Sequence, residues 1–299
     1  MRKIPGALVT LASLLLASRP KTLPAAIVPV VAATALVHAE GFEAHMGLSL
    51  CAMFGAIFIQ IATNFLNDAI DFSKGADTET RLGPQRVTQS GLMTGKQVMV
   101  AGALCLLVAA GFGVPLVLTA GWPILLIGLV SLYFAYGYTG GPFPLAYRGL
   151  GDLFVILFFG LVAVGGVYFI QTEVLRWSAL VLGIQVGCLS TVLIAINNIR
   201  DMNQDVLVGK RTFAVRFGLL ASRLEVIFLF LLTFCLSVYW VQQGLSSLAY
   251  GSMAAIPSAS VVAYLVTTRP PGPFYNKLLA LSAVTLILFC IGFVAGALW

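Results

Sequence analysis

The sequence predicts an all-α, polytopic membrane bundle of about nine transmembrane helices, folded as a single domain over residues 1–299. Three observations predict it. Hydrophobic residues make up 60% of the chain and charged residues only 9%, against roughly 25% charged in soluble domains. Apolar runs long enough to cross about 30 Å of hydrocarbon follow one another with short breaks. Lys and Arg fall almost entirely on one side when successive connections are assigned to alternate faces.

The runs lie near 22–39, 46–68, 97–116, 118–136, 150–170, 177–198, 222–241, 246–267 and 278–298. Before them, Leu8 to Ala17 is too short to span and is flanked by Arg2, Lys3, Arg19 and Lys21, which suits a cytoplasmic surface segment over 1–21 better than a cleaved signal. The alternating count leaves Arg176 alone opposite all the other Lys and Arg residues. By the positive-inside rule the N-terminus is expected in the cytoplasm, Trp299 outside, and the chain in the cell (inner) membrane as a multi-pass protein. Five cysteines all fall in apolar runs without a CxxC pair, and His38 and His45 flank one short connection. Neither zinc, haem nor a nucleic-acid partner is expected.

The second run ends in Asn64, Asn67, Asp68 and Asp71, spaced i, i+3, i+4 and i+7 on one helical face. The sixth ends in Asn197-Asn198-Ile199-Arg200-Asp201, with Asn197, Asp201 and Asp205 at i, i+4 and i+8. Two acidic stripes therefore emerge at one membrane depth, where carboxylates need cations or water. Asp and Asn oxygens suit Mg²⁺, which commonly bridges one or two carboxylates to substrate phosphates. The alternative is that these acids cap their helices or pair with Arg200, Lys74 and Lys210. Because both copies face the same side, they form a parallel repeat, which disfavours an inverted-repeat transporter.

Each stripe is followed by bases: Lys74, Arg81 and Arg86 after the first, Lys210 and Arg211 after the second. Acids that hold a metal and bases that meet phosphate oxygens both neutralise the charge of a diphosphate leaving group. A third connection on the same side, Tyr138 to Asp152, is broken by Gly and Pro. Tyr138, Tyr147 and Arg148 offer a pocket for an aromatic acid, with Arg148 facing its carboxylate; the alternative pairs Arg148 with Asp152 at i+4.

These stretches, with Ser18-Arg19-Pro20-Lys21-Thr22-Leu23-Pro24, make the chain resemble the UbiA superfamily of intramembrane prenyltransferases over nearly its whole length. The variant NDxxDxxKGxD, followed by RxGPxR, is similar to the branch acting on 1,4-dihydroxy-2-naphthoate in menaquinone biosynthesis. It departs from the commoner NDxxDxxxD, whose last acid would fall at Gly75 and is supplied instead by Asp77; Asp201 and Asp205 match DxxxD.

The resemblance implies a nine-helix bundle around a cavity that opens laterally to lipid. It implies a magnesium-dependent transfer from a polyprenyl diphosphate to the naphthoate, with loss of CO₂. Asp68, Asp71, Asp77, Asp201 and Asp205 are the expected metal ligands. Asn64, Asn67, Lys74, Arg81, Tyr138, Arg148, Asn198, Arg200 and Lys210 are the expected substrate contacts. Homogentisate or 4-hydroxybenzoate as acceptor, or a transporter using the acids as a relay, remain the competing readings.

Overall fold

The protein, seen as a computed structural model, is described over residues 9–76 and 82–299, and among these it is helical without a strand. Helix α1 (Leu11–Ser18) is capped by the Thr10 hydroxyl and closed by Arg19 in the left-handed region, φ 50°. A 3₁₀ turn (Pro20–Thr22) leads into α2 (Pro24–Ala39), and the chain bends by 53° between the two parts. Then follow α3 (Met46–Ser73), α4 (Gly95–Ala120), α5 (Trp122–Gly137), α6 (Gly151–Thr172), α7 (Trp177–Leu207), α8 (Phe213–Gln242), α9 (Ser246–Met253), α10 (Ile256–Thr268) and α11 (Tyr275–Ala297).

Every expected apolar run coincides with a helix or a bent pair, but the count of nine spans is not reproduced. Six helices are long and apolar enough to cross a membrane singly, and up to eight spans result if the bent pairs α1–α2 and α9–α10 each count as one. The remaining run is α5, whose 16 residues reach only about 24 Å at 1.5 Å per residue.

Helix α7 is the hub. Of its most apolar stretch, 78% is buried inside the protein, against 17% for α4, so α7 is packed all round while α4 presents one face to lipid. The largest core cluster joins α2, α6, α7, α8 and α11 through residues such as Leu36, Tyr168, Leu189, Trp240 and Phe289. Between lipid-facing helices no hydrophobic effect drives association, and small residues that let backbones approach take its place. A Cβ added to Gly160 of α6 would lie 2.2 Å from the Gly183 carbonyl of α7, and one on Gly292 of α11 would lie 1.9 Å from the Gly251 carbonyl of α9. Around Gly160, α6 widens into a π-helical stretch, Ile156–Val162.

The ends of α3, α5 and α7 and the starts of α4, α6 and α8 gather at one end of the bundle, and their three connections are stitched together. Lys74 Nζ donates to the Thr139 carbonyl at 2.7 Å, the Tyr147 hydroxyl to Asp71 Oδ1 at 2.9 Å, and the Arg211 amide to the Tyr147 carbonyl at 3.1 Å.

Candidate active site

The first stripe occupies the last turns of α3. Asp68 is 1% exposed, and its two oxygens accept the Val87 and Thr88 backbone amides, each at 3.1 Å. It therefore clamps the 86–91 turn to the helix, and each of the two oxygens expected to bind metal carries one backbone hydrogen bond. Three residues on, Asp71 faces the interior, paired with Arg86 Nη2 at 3.0 Å and hydrogen-bonded by Tyr147. Asn64 donates to the Ser18 carbonyl at 2.9 Å and to Thr22 Oγ1 at 3.0 Å, while Asn67 Oδ1 accepts the Thr139 hydroxyl.

The second stripe ends α7. Arg200 holds Asp201 with two bonds, 2.7 and 2.6 Å, and also bonds Asn197 and Asn276; Asn276 in turn donates to the Leu82 carbonyl. Arg200 does not border the cavity. This arginine braces α7 against α11 and the loop after α3. Asp205 lies 3.5 Å from Lys210 Nζ through Oδ1, whereas its Oδ2 is buried without a hydrogen-bond partner. Asn198 Nδ2 reaches Asp152 Oδ1 at 3.5 Å.

Of the third connection, Tyr138 borders the cavity and Arg148 does not. The Arg148 guanidinium stacks on the Phe143 ring at 3.6 Å, exposed, and its carbonyl accepts Arg216 Nη2 at 2.6 Å. Among the described residues it stands outside the cavity lining and makes no ion pair with Asp152. Lys74 likewise stays at the rim, 4.2 Å above the Tyr147 ring, where burial lowers its ammonium pKa and Asp71 opposes the shift. Burial, followed by Asp152, Asp71 and Asp205, pushes the Tyr138 phenol up. Asp77 and Arg81 lie outside the described residues.

Between the stripes opens a cavity of about 620 Å³. Its polar end carries Asn64, Asn67, Asp71, Arg86, Asn198, Asp201, Asp205 and Lys210; its walls continue through Phe134, Phe158 and Val162 to Leu118, Ile124 and Leu125 at the opposite end of α4 and α5. Leu118, Leu125 and Leu129 border the cavity yet are 81%, 46% and 57% exposed, so the wall between α4 and α5 is open to the surroundings. Such a chamber takes a molecule with an anionic head and a long apolar tail.

Among the described residues no three His, Cys, Asp or Glu side chains come together as a metal cage. The donors do fit a hard cation that draws its remaining ligands from water and a phosphate: Asp205 has an unclaimed buried oxygen, with Asp71 and Asp201 bordering the same cavity. Sequence reasoning missed two participants. Arg86 was read only as a loop base, although it is 5% exposed and pairs with Asp71. Asp152 was read only as a partner for Arg148, although a carboxylate opening an apolar run was the signal for a buried acid on the cavity wall.

The UbiA prenyltransferase family profile matches residues 26–284. A 1,4-dihydroxy-2-naphthoate octaprenyltransferase of Haemophilus influenzae is 33% identical over 295 residues, covering 93% of this chain and 94% of the relative. Among solved structures, an apo UbiA homolog from Aeropyrum pernix superposes with TM-score 0.69 at 16% identity, over 96% of this chain and 98% of the other. A UbiA homolog from Archaeoglobus fulgidus bound to GPP and Mg²⁺ gives TM-score 0.62 at 13% identity, over 94% and 99%.

Proposed function

This chain belongs to the UbiA prenyltransferase family, a multi-pass membrane prenyltransferase, and on that premise we propose that it transfers a polyprenyl group from a polyprenyl diphosphate to 1,4-dihydroxy-2-naphthoate. The transfer is Mg²⁺-dependent and releases CO₂ and diphosphate, giving demethylmenaquinol, the hydroquinone form of demethylmenaquinone. The observation that carries this reading is the meeting, in one cavity, of an apolar chamber with the oxygens of Asp71, Asp201 and Asp205. The naphthoate as acceptor is supported by the name and coverage of the Haemophilus influenzae relative, and the cation by the Archaeoglobus fulgidus homolog bound to GPP and Mg²⁺.

Asp205, Asp201 and Asp71 would hold Mg²⁺, with Asp77 as a further ligand. When bound, the ion neutralises charge that grows on the diphosphate as the carbon–oxygen bond breaks. Lys210 and Arg86, joined by Arg81, meet the remaining phosphate oxygens, Asn67 and Asn198 donate amide hydrogens at the same end, and Asn64, its own amide held by Ser18 and Thr22, lines it. Asp68 acts through the turn it clamps, keeping Arg86 over the head group. The apolar walls hold the isoprenoid tail and keep water from the allylic cation until the ring attacks through the carbon bearing the carboxylate, which leaves as CO₂. The site faces the cytoplasm of a cell (inner) membrane, with the N-terminus on that side and nine spans in all, α5 crossing a locally thinned bilayer.

The test is to incubate purified protein in vesicles with polyprenyl diphosphate and the naphthoate, with Mg²⁺ or EDTA, and follow diphosphate, CO₂ and prenylated product by mass spectrometry. Magnesium-dependent demethylmenaquinol, detected as such or after oxidation in air as demethylmenaquinone, is the expected result. Product only with homogentisate or 4-hydroxybenzoate would replace the acceptor, and no covalent product with any acceptor would remove the reading.

A further inference from the structure

We propose that Asp152 determines acceptor specificity by taking a hydrogen bond from the hydroxyl of the aromatic ring that lies away from its carboxylate. The assignment rests on the functional reading above and names the residue that distinguishes a dihydroxy from a monohydroxy acid. Among the described residues four carboxylates border the cavity. Asp71 faces Arg86, Asp201 faces Arg200 and Asp205 faces Lys210; among the described residues Asp152 faces no cation. It is 7% exposed; its carboxylate takes a backbone hydrogen bond from its own amide and a long one from Asn198 at 3.5 Å, and on its far side it borders a second recess with Glu225. A carboxylate offers about four lone-pair positions, so accepting capacity is left over at the cavity that it borders.

Beside it stands an aromatic wall. The Phe154 and Phe158 rings stack with centroids 4.2 Å apart, and Phe134 meets them edge-on at 5.1 and 5.4 Å. Tyr138 leans on Phe154 at 5.5 Å, and its hydroxyl sits where a Cβ on Gly151 would come within 2.9 Å, so the glycine before Asp152 makes room for it. A flat ring fits against such a wall by offset or edge contact, with one polar edge toward the carboxylate.

In 1,4-dihydroxy-2-naphthoate the 1-hydroxyl is adjacent to the carboxylate and satisfies itself internally. The 4-hydroxyl has no internal partner, and once buried it needs an acceptor. Asp152 supplies one without a competing guanidinium or ammonium, and it leaves the acceptor's own carboxylate to the cationic side of the cavity.

The test is equilibrium binding of 1,4-dihydroxy-2-naphthoate and 1-hydroxy-2-naphthoate to the full-length protein in vesicles, read by naphthoate fluorescence, for wild type, Asp152→Asn and Asp152→Ala. Wild type should prefer the dihydroxy acid by about 10- to 10²-fold, the scale of one hydrogen bond to a charged group. Asp152→Ala should weaken the dihydroxy acid until the two bind alike, with the monohydroxy acid unmoved. Asp152→Asn, which keeps an accepting oxygen and the side-chain shape, should fall between them. Equal affinities in wild type, or equal weakening of both acids in the variants, would overturn the assignment. Turnover separates the two claims: wild type that forms product but shows no discrimination loses this inference alone, whereas wild type that binds both acids and prenylates neither loses the functional reading.

Discussion

The ends of α3 and α7 carry the same residue types at nearly the same spacing, yet the protein employs them differently. On α3 the acid nearer the helix body, Asp68, has both oxygens on backbone amides and Asp71 is shared between Arg86 and Tyr147, so this end organises a loop. On α7 Asp201 is gripped by its own neighbour Arg200, and Asp205 keeps one buried oxygen without a partner. The lesson is that a repeated acidic motif need not have two equivalent halves. One end organises the 86–91 turn and its arginine, and the other keeps a buried oxygen that we propose for a cation.

The sharpest way to break this comparison is to neutralise each end in turn. Asp205→Asn should lower kcat on the order of 10³-fold, the scale for removing a preorganised electrostatic group, with thermal stability unchanged; wild-type turnover would remove Asp205 from the site. Arg200→Ala should act on stability first, since stripping one partner from a buried ion pair costs about 3–5 kcal/mol. The readout is a thermal shift in detergent, and an unshifted midpoint would mean that Arg200 braces nothing.

Asp68→Asn comes next. A hydrogen bond to a charged group is worth about 1.5–3 kcal/mol, and the substitution weakens at least one of two. The 86–91 turn should become open to protease and to hydrogen exchange, with turnover falling less than in Asp205→Asn. Equal loss of turnover with the turn still protected would make Asp68 a ligand after all. The smallest effect belongs to Arg148→Ala, which removes an exposed cation–π contact worth about 0.5–1 kcal/mol and should leave the acceptor KM where it was. A raised acceptor KM would bring Arg148 back into the pocket.

Much of this molecule is legible in its sequence, because hydrocarbon imposes one period and one length on every spanning segment. The acidic faces were legible for the same reason: a charge inside an apolar run is costly and needs a use. What escaped depends on docking between distant segments. No spacing rule brings the Val87 and Thr88 amides to Asp68, nor places Arg148 on Phe143 when Asp152 stands at i+4. The bends at Arg19 and between α9 and α10, and the shortness of α5, were likewise hidden. They follow from turns and packing partners, whereas hydropathy reports only how much apolar residue is present.

The account stands most directly on where the diphosphate sits. The deciding measurement is a structure of the protein in lipid nanodiscs with Mg²⁺ and a non-hydrolysable polyprenyl thiodiphosphate. It should show the ion in contact with Asp205, the phosphates against Lys210 and Arg86, and the tail running past Phe158 toward Leu125. A head group held elsewhere, with Asp205 still turned to protein alone, would contradict it.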